Sequence, residues 1–384
     1  MFFAIVGLPN KGKTTLFNAL THANAQIADY PFTTIDPNKG VAFASAPCPC
    51  SQKGAKCNPR NSKCVNGTRF VPVNVIDVAG LVAGAHEGRG RGNQFLTDLS
   101  NADALVCIAD ASGSTDAEGN KCEPGSHDVA EDVTVLESEI DYWLAAVVKR
   151  NAHKARGRAL AEFQQALSGI NVGERVLKEC LRETGLQPKP EEWDDGQCLV
   201  FAKAVRKHTK PIVVAANKCD LPSAAQGLER LRQLSYPLFE VSADYELALQ
   251  KAKEKGFVDY DGKAVVVKAE DPKFAAALHL LKEFVESRGG TGVQRLVDGI
   301  VFKVLDCIVA YPVEDERHWT DNKGNVLPDA ILLRRGATAV DLAAAIHTDL
   351  AKGFLYAVDC RTNMRLAREH ALKDGDVVKI VSNR

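Results

Sequence analysis

Short apolar runs alternate with helically spaced apolar residues along the first part of the chain. Phe2 to Val6 is an apolar run of strand length, and Leu16, Phe17 and Leu20 follow it at the spacing of one helix face. Further runs of strand length lie at Val71 to Val75, Pro211 to Ala216 and Leu238 to Val241. Strands that alternate with helices predict an α/β domain with a mostly parallel sheet.

A different pattern interrupts these strands between Asp132 and Lys210. Apolar residues recur at intervals of three and four over 133–147 and again over 160–170, which predicts two amphipathic helices in a helical, coiled-coil-like insertion. The break between them carries basic side chains and no acid: Lys149, Arg150, His153, Lys154, Arg156 and Arg158. A solvated helix end explains this cluster better than a contact with RNA or a ribosome, which stays as the alternative.

The pattern changes again towards the carboxyl terminus. Residues 244–301 are charged and mostly helical in spacing, which predicts a helical bridge. Beyond Cys307, one predicted helix at Ala339 to Leu350 lies among short β-like runs, which are Ile308 to Tyr311, Ile331 to Leu333, Phe354 to Val358 and Val377 to Val381. Strands around a single helix predict a small α+β domain.

Composition narrows the class of protein without choosing a partner. The chain has 384 residues, 45% of them apolar, and its 48 Lys and Arg nearly balance 49 Asp and Glu, so no global field selects DNA, RNA or a membrane. No apolar run approaches the roughly 18 residues of a membrane span, and the first positive charges follow the opening apolar run, the reverse of a signal peptide. Eleven cysteines without an export signal predict reduced thiols or metal ligands in a cytoplasmic protein.

The stretch GLPNKGKTT, from Gly7 to Thr15, carries the first chemistry. It spells G-x-x-x-x-G-K-S/T between a predicted strand and a predicted helix, with Gly7, Gly12, Lys13 and Thr14 in the fixed places. Successive backbone N–H groups at the positive end of a helix can cradle a phosphate chain, and glycines allow the conformation that this requires. Lys13 would add a mobile charge for the outer phosphates, and the Thr14 hydroxyl would be a ligand for Mg²⁺.

Three later motifs decide between classes of nucleotide-binding protein. YPFTTID is a polar loop in which Thr34 can close over the metal, and DVAG places Asp77 at the end of a strand, with Gly80 after it. NKCD, from Asn217 to Asp220, follows a buried-strand run, and its last carboxylate can accept two N–H bonds from guanine that adenine cannot donate. The order of these motifs and their places at strand ends make coincidence an unsatisfactory explanation.

Two further features leave alternatives open. Ser242 and Ala243 either complete a base pocket or form an ordinary turn after the run Leu238 to Val241. Four thiols within seventeen residues of a Pro, Gly and Asn-rich loop could hold Zn²⁺: Cys48, Cys50, Cys57 and Cys64. The C-x-C pair strains tetrahedral chelation compared with C-x₂-C, so the spacing favours free or redox-active thiols over zinc.

Together these motifs resemble one known family. GLPNKGKTT, DYPFTTID, DVAGLVAGAHEGRGRGNQFL and the carboxyl-terminal AIHTDLAKGFLYAV are similar to the Obg-like YchF subfamily of P-loop GTPases and ATPases, with an archaeal-type look. The resemblance implies a G domain with a helical insertion and a C-terminal TGS domain of β-grasp fold. The expected divisions are residues 1–131 for the first part of the G domain, 132–205 for the insertion, 206–305 for the rest of the G domain with the bridge, and 306–384 for the TGS domain.

The resemblance also implies nucleotide hydrolysis linked to ribosomes and translation or stress responses. The residues that would hold the phosphates are Asn10, Lys11, Gly12, Lys13, Thr14 and Thr15. Thr14 and Thr34 would bind Mg²⁺ directly and Asp77 through water. Asn10 is also the position at which many relatives coordinate a monovalent cation, so stimulation by K⁺ is expected.

The resemblance and the chemistry disagree about the base. Obg-like ATPases carry N-x-x-E where this chain has NKCD, and their loss of guanine preference accompanies that change. Because the guanine-reading Asp220 is present here, we predict GTP and GDP as ligands over ATP. An ATP-preferring ATPase and a nucleotide-gated RNA or ribosome-binding module with incidental hydrolysis are the alternatives.

The catalytic group is less clear from the sequence. Leu81 occupies the place where Ras-like enzymes carry the Gln that orients the attacking water, so water must be positioned in another way. His86, in the Gly-rich stretch AGAHEGRGRG, is a candidate, as is a bound cation. A solvent-exposed His86 without a catalytic role explains the sequence equally well.

Overall fold

A computed structural model describes residues 1–22, 39–54, 56–78, 99–154, 160–268 and 272–383. The strands are β1 (Phe2–Val6), β2 (Lys39–Pro47), β3 (Lys63–Val65), β4 (Thr68–Asp77), β5 (Ala104–Asp110), β6 (Ile212–Asn217), β7 (Leu238–Glu240), β8 (Val258–Tyr260), β9 (Val265–Val267), β10 (Cys307–Val313), β11 (Ile331–Arg334), β12 (Phe354–Asp359), β13 (Arg365–Leu366) and β14 (Val377–Ser382).

The α-helices whose bounds are described are α1 (Lys13–His22), α2 (Cys50–Lys53), α3 (Val129–Lys154), α4 (Leu160–Ala166), α5 (Glu174–Thr184), α6 (Asp195–Thr209), α7 (Ala224–Arg232), α8 (Ala243–Glu254), α9 (Pro272–Arg288), α10 (Val293–Asp298), α11 (Ala339–Ile346) and α12 (Thr348–Lys352). Within the described ranges no helix is both long and apolar enough to cross a bilayer.

The described residues divide into two compact units. The first unit contains the described residues of 1–19, 39–40 and 74–296, and the second contains those of 20–22, 41–73 and 297–383. Strand β4 belongs to both, because its residues 68–73 lie in the second unit and its residues 74–77 lie in the first.

A parallel sheet forms the centre of the first unit. Its strands lie in the order β4, β1, β5, β6, β7, and every neighbouring pair is parallel. Strand β5 is wholly buried, as a central strand of a parallel sheet should be. The ends of β4, β5 and β6 carry Asp77, Asp110 and Asn217, and an open α/β sheet binds its ligands at this carboxyl edge. The predicted α/β fold with a mostly parallel sheet is confirmed.

Four helices, α3 to α6, lie between β5 and β6 in the chain. They share one apolar core with the sheet, in which the rings of Trp193 and Phe201 are 4.8 Å apart and Trp193 meets Phe163 edge-on at 5.9 Å. An ion pair joins α6 to α3, because Arg206 Nε lies 2.6 Å from Asp141 Oδ1. The sequence predicted the first two of these helices and missed the separate helices α5 and α6.

The region predicted as a helical bridge contains an antiparallel hairpin, β8 paired with β9. Its turn is formed at Asp261, whose Oδ1 accepts hydrogen bonds from the backbone N–H of Lys263 at 2.9 Å and of Ala264 at 2.8 Å. Gly262 supplies the positive φ of 95° that the turn requires. An Asp-Gly pair between two apolar runs is a hairpin signal. The sequence analysis did not use it, because the residues on either side have helical spacing.

The second unit contains a separate five-stranded sheet in the order β11, β10, β14, β12, β13. Helix α11 packs its buried Leu342 and Ala343 into the core of this sheet. The helix predicted at Ala339 to Leu350 is interrupted at His347, which has an extended backbone and accepts a hydrogen bond from Asp349 N–H through its Nδ1. The side chain thus begins a new helix, α12, where spacing alone predicted continuity.

Also in the second unit, β2 and β3 flank the first half of β4. Strand β3 pairs with β4 in antiparallel register, and the turn between them contains Asn66 and Gly67, both with positive φ. Cys48, Cys50 and Cys57 lie in the segment that connects β2 to β3, and Cys64 lies within β3 itself.

Candidate nucleotide-binding site

The loop between β1 and α1 has the shape that phosphate binding requires. Gly12 has a φ of 99°, and a Cβ at this position would lie 2.3 Å from the amide nitrogen of Asn217. A Cβ on Gly7 would lie 2.8 Å from the carbonyl oxygen of Ile108. Both positions therefore accept only glycine, and the loop can turn its backbone N–H groups towards the amino terminus of α1.

Lys13 supplies the positive charge of this cradle. Its Nζ donates hydrogen bonds to the carbonyl oxygens of Gly7 at 3.0 Å and Leu8 at 2.8 Å. Burial lowers the pKa of Lys13, and the nearby Asp77 opposes that shift. Burial likewise raises the pKa of Asp77, against the effect of Lys13 and of a hydrogen bond from Thr14. A phosphate at the loop would replace the two carbonyls as the partner of this ammonium group.

The two predicted Mg²⁺ ligands on described residues face each other. The Thr14 hydroxyl, in the first turn of α1, lies 3.4 Å from Asp77 Oδ2 at the end of β4. A hydroxyl and a carboxylate that converge beside a phosphate cradle are oxygen ligands of the kind that Mg²⁺ takes, together with water and phosphate oxygens. The residues present therefore fit the ion. Thr34, Gly80, Leu81 and His86 lie outside the described residues.

Lys11 does not extend its side chain to the phosphates, in contrast to its predicted role there. The side chain is 0% exposed, and its Nζ lies 2.8 Å from Asp132 Oδ2, with a hydrogen bond of 2.7 Å to the carbonyl oxygen of Thr115. The second oxygen of Asp132 lies 2.7 Å from His127 Nε2. Only the backbone of Lys11 remains for a phosphate, because its ammonium group is committed to this buried ion pair.

The side chain of Asn10 lies on the outer edge of the cradle. Its Nδ2 donates a hydrogen bond of 2.8 Å to the carbonyl oxygen of Gly119. The residue has a positive φ of 58°, a conformation that Asn tolerates better than most residues. Thr15 follows in the first turn of α1 and lines the same cavity as Asn10.

Asn217 connects the phosphate loop to the loop after β7. Its Nδ2 donates to the carbonyl oxygen of Lys11 at 3.2 Å, and its Oδ1 accepts from the backbone N–H of Ala243 at 3.1 Å. The side chain is 1% exposed, so both hydrogen bonds are shielded from water. The Asn of NKCD thus positions two loops that the sequence assigned separately to the site.

Asp220 and Ser242, both predicted for the base pocket, are joined by a hydrogen bond. The Ser242 hydroxyl lies 2.5 Å from Asp220 Oδ1 and donates to it, and Ser242 also begins helix α8 by accepting from Tyr245 N–H at 3.4 Å. This helix-capping role fixes the Ser242 side chain, which in turn orients the carboxylate. Ser242 and Ala243 both contact the NKCD motif, so they are not an unrelated turn.

Lys218 reaches a carboxylate that the sequence did not single out. Its positive φ of 62° turns the chain after β6, and its Nζ lies 2.7 Å from Oδ2 of the buried Asp110. Asp110 also accepts from the hydroxyls of Ser112 at 2.5 Å, Ser114 at 3.1 Å and Thr115. Burial acts to raise the pKa of Asp110, but Lys218 and these hydroxyls outweigh it and hold that pKa below its usual range.

These residues enclose a cavity of about 640 Å³ between the phosphate loop and NKCD. Its lining includes Asn10, Lys13, Thr14, Asn217, Lys218 and Asp244. Asp220 lines an adjacent cavity of about 390 Å³, whose wall also contains Phe284 and Arg288. The first cavity is large enough for a small ligand, and polar groups converge on it from three loops.

Cys48, Cys50, Cys57 and Cys64 belong to the second unit and take no part in this cavity's lining. Their sulfur atoms lie within 4.8 Å of one another. The spacing in the sequence did not predict that all four would converge.

Three family models match the chain. The model of the 50S ribosome-binding GTPase covers residues 2–146, that of the G4-motif domain of Obg-like, YGR210-like GTPases covers residues 215–315, and that of the TGS domain covers residues 323–382. The TGS match includes β11 to β14, α11 and α12 but not β10, and the other two matches include the phosphate loop and NKCD.

Individual relatives match over nearly the whole chain. An uncharacterized GTP-binding protein of Methanocaldococcus jannaschii is 46% identical over 98% of both chains. A ribosome-binding ATPase YchF of Haemophilus ducreyi is 30% identical, over 92% of this chain and 86% of that one. The crystal structure of a GTP binding protein from Pyrococcus horikoshii covers 100% of both chains, with 36% identity and a TM-score of 0.79.

The structure of the YchF GTPase of Schizosaccharomyces pombe has a TM-score of 0.58 over 99% of this chain and 97% of that one. Its identity of 17% limits this likeness to the fold. The family models, the extent of the relatives and the geometry of the phosphate loop agree with one another, and the chain therefore belongs to the Obg-like, YchF-type family of P-loop GTPases.

Proposed function

We propose that this protein hydrolyses GTP to GDP and phosphate and uses the reaction as a conformational switch. The observation that carries the proposal is the geometry of NKCD. Asn217 connects the phosphate loop to Ala243, and the Ser242 hydroxyl holds the carboxylate of Asp220 at 2.5 Å. A phosphate site and a base-reading carboxylate are thus supported by one hydrogen-bonded framework.

The choice of guanine follows from donors and acceptors. An ionised carboxylate only accepts hydrogen bonds, and guanine presents two adjacent donors, its ring N1–H and its exocyclic amine. Adenine carries no such pair on the corresponding edge. Because an acceptor that a bound base covers without donating to it costs free energy, Asp220 would select against adenine as well as for guanine.

The chain's own residues can bind and orient the triphosphate. Lys13 would exchange the carbonyls of Gly7 and Leu8 for phosphate oxygens, and the backbone N–H groups of the loop would point at the same charge. Thr14 and Asp77 would hold Mg²⁺, with Thr34 as a further ligand; the ion neutralises charge that develops on the transferring phosphoryl group. Leu81 cannot orient water, so we expect slow hydrolysis that depends on His86 or on a bound cation.

Asn10 is the residue we propose for K⁺. Its amide nitrogen faces the carbonyl of Gly119, which leaves the amide oxygen for a cation beside the phosphates. Turnover should be faster in K⁺ than in Na⁺ buffer, and Asn10→Ala should remove that difference. Equal rates in the two buffers for the unchanged protein would contradict this assignment.

The ATP-preferring alternative rests on the names of relatives. Proteins called ribosome-binding ATPase YchF and Obg-like ATPase 1 are 27% to 30% identical to this chain. Asp220 is the residue that distinguishes a preference for GTP from a preference for ATP. Asp220→Asn should weaken GDP binding and allow binding of xanthosine diphosphate, because xanthine has a carbonyl where guanine has its amine and an amide N–H can donate to it. Unchanged affinity for GDP in this variant would remove Asp220 from base reading.

A ribosome, or RNA within it, is the partner we propose, acting in the cytoplasm. The support comes from the family model named for 50S ribosome binding and from the name of the YchF relative. Co-sedimentation with ribosomes should depend on a non-hydrolysable GTP analogue, and Lys13→Ala should abolish that dependence. Binding that is equal with and without nucleotide would favour a ribosome-binding module in which hydrolysis is incidental.

A further inference from the structure

Four thiols from the β2–β3 loop and strand β3 converge. Cys48 Sγ lies 3.9 Å from Cys57 Sγ, and Cys50 Sγ lies 3.8 Å from Cys64 Sγ. All four sulfur atoms lie within 4.8 Å of one another. Such convergence of four side chains from a segment of seventeen residues requires a cause, since thiols have little attraction for each other.

The separations fit a metal ion better than the other chemistry open to thiols. With Zn–S bonds of about 2.3 Å, the sulfur atoms of a regular tetrahedron are about 3.8 Å apart. A disulfide requires about 2.05 Å between its two sulfurs, which is well below either observed separation. A four-iron cluster would hold its thiolates farther apart, because each binds a different iron.

The backbone conformation removes the strain expected from the C-x-C spacing. Pro49 has a helical backbone conformation and precedes the single turn α2 (Cys50–Lys53), which Gly54 follows with a φ of 65°. The backbone N–H of Cys48 is held by the carbonyl oxygen of Gly67 at 2.8 Å. The first two thiols therefore come from a strand end and a helical turn, which aim them at a common point.

A buried cation accompanies the thiols. Arg69 lies opposite Cys64 in the β3–β4 pairing and is fully buried, with hydrogen bonds to Ser62 Oγ at 2.9 Å and to the carbonyl oxygen of Leu327 at 2.5 Å. No ion pair in the described part of the chain includes Arg69, and its Nε has no hydrogen-bond partner there. A Zn²⁺ ion with four thiolates has a net charge of −2, and this guanidinium would offset part of that charge.

The loop is held to the carboxyl-terminal domain through its backbone. The N–H of Asn58 donates to the carbonyl oxygen of Val326 at 2.9 Å, and the N–H of Arg60 donates to that of Pro328 at 2.7 Å. Asn61 and Ala330 exchange two further hydrogen bonds, at 3.0 Å and 3.1 Å. Cys48 and Cys50 are also part of the same apolar cluster as the buried Tyr311, Trp319 and Leu327.

We propose that Cys48, Cys50, Cys57 and Cys64 bind one structural Zn²⁺ ion, which fixes the β2–β3 loop on segment 317–330 of the carboxyl-terminal domain. Four protein ligands leave no open position for water or substrate, so the ion's role is structural. It gives a loop with no apolar core of its own a rigid centre. The site lies outside the nucleotide-binding residues, and the proposal is independent of the proposed GTPase activity.

Metal analysis of the purified full-length chain tests the proposal. Inductively coupled plasma mass spectrometry of protein purified in the presence of a reductant should find about one zinc ion per chain. Co²⁺ exchanged into the site should give the intense thiolate-to-metal absorption of a tetrahedral centre. Cys57→Ser and Cys64→Ser should lose the metal. Cys122→Ser, which changes a partly buried thiol outside the group, should retain it.

Two further measurements separate metal binding from general damage. Cys57→His should restore zinc that Cys57→Ser loses, because histidine is a normal fourth ligand. Zinc removal should speed amide hydrogen exchange in segment 317–330 while leaving α6 unchanged. Protein without zinc whose mass shows two disulfides among these cysteines would overturn the proposal, as would iron in place of zinc. These results do not depend on nucleotide binding.

Discussion

At the scale of single residues, some side chains of the phosphate loop line the cavity, and others make buried contacts that support the loop. Lys13 and Thr14 face the cavity, whereas Lys11 turns to the buried Asp132. The sequence placed Lys11 at the phosphates because it lies between Asn10 and Gly12 in the motif. Its partner is 121 residues away in the chain (132 − 11), a contact that no local pattern reveals.

The Lys11–Asp132 pair predicts large effects on stability. Asp132→Asn should lower the free energy of unfolding by about 3–5 kcal/mol, because it leaves a buried ammonium group without its counter-charge. The double variant Lys11→Met with Asp132→Leu should recover most of that loss. Urea unfolding measures both, with Asp128→Asn as the control at an exposed carboxylate. If Lys11→Met instead weakens GDP binding without any loss of stability, Lys11 belongs to the phosphate site.

Lys210 predicts a dependence of stability on pH. It is fully buried, donates to the carbonyl oxygens of Ser100 at 2.9 Å and Ala102 at 3.0 Å, and burial lowers its pKa to about 8. The unfolded chain keeps this proton up to a pH of about 10.4, so between pH 8 and 10 the unfolded state binds more protons. The contribution of Lys210 to the free energy of unfolding should therefore rise over this interval, by at most about 3 kcal/mol.

The measurement is a comparison of unfolding at pH 7.5 and pH 9.5 for the unchanged chain and for Lys210→Met. The difference between the two proteins isolates Lys210 from the cysteines and tyrosines that titrate in the same interval. We expect a smaller rise with pH in the variant. If the free energy of unfolding changes equally with pH in the two proteins, burial does not lower the pKa of Lys210.

At the scale of elements, three loops at the carboxyl edge of the parallel sheet act together because Asn217 connects them. It contacts the phosphate loop at the carbonyl of Lys11 and the loop before α8 at the N–H of Ala243. Each of these loops follows a strand that the apolar pattern predicted, namely β1, β6 and β7. The sequence could therefore predict which loops form the site, but not the hydrogen bonds that hold them together.

Asn217→Ala should weaken the binding of GDP and ADP alike, by about 1–3 kcal/mol, because it leaves buried hydrogen-bonding groups unpaired and loosens the phosphate loop. Asp220→Asn is the matched variant, since it changes the carboxylate of the same motif that we propose reads the base and should affect the guanine nucleotide selectively. Calorimetric titration distinguishes the two patterns. A loss confined to GDP in Asn217→Ala would mean that this side chain reads the base instead of supporting the loop.

Elements that depend on distant contacts or single side chains were harder to predict. The hairpin β8–β9 depends on the Asp261 carboxylate in its turn, and the interruption between α11 and α12 depends on His347. The sequence analysis did not identify Asp110, although its position is a signal. An acid that ends the apolar run Ala104 to Ala109 is buried with that run and therefore needs a partner, which is Lys218. The parallel strands, in contrast, follow directly from runs that only a sheet covered on both faces can bury.

At the scale of the whole molecule, the chain combines a nucleotide site in one compact unit with a cysteine centre in the other. The matches to the relatives from Methanocaldococcus jannaschii and Pyrococcus horikoshii extend over at least 98% of this chain and so include both units. Motifs fixed by phosphate chemistry could be read from the sequence because their spacing is local. The convergence of four thiols could not, because it depends on how the β2–β3 loop folds against residues 317–330.

We propose that the protein recognises guanine through the carboxylate of Asp220. Calorimetric titration of the purified chain with GDP and with ADP, in the presence of Mg²⁺, tests it most directly. We predict that GDP binds at least about tenfold more tightly, equivalent to about 1.4 kcal/mol, because only guanine offers two donors to the carboxylate that Ser242 holds. Tighter binding of ADP than of GDP would show that Asp220 does not select guanine.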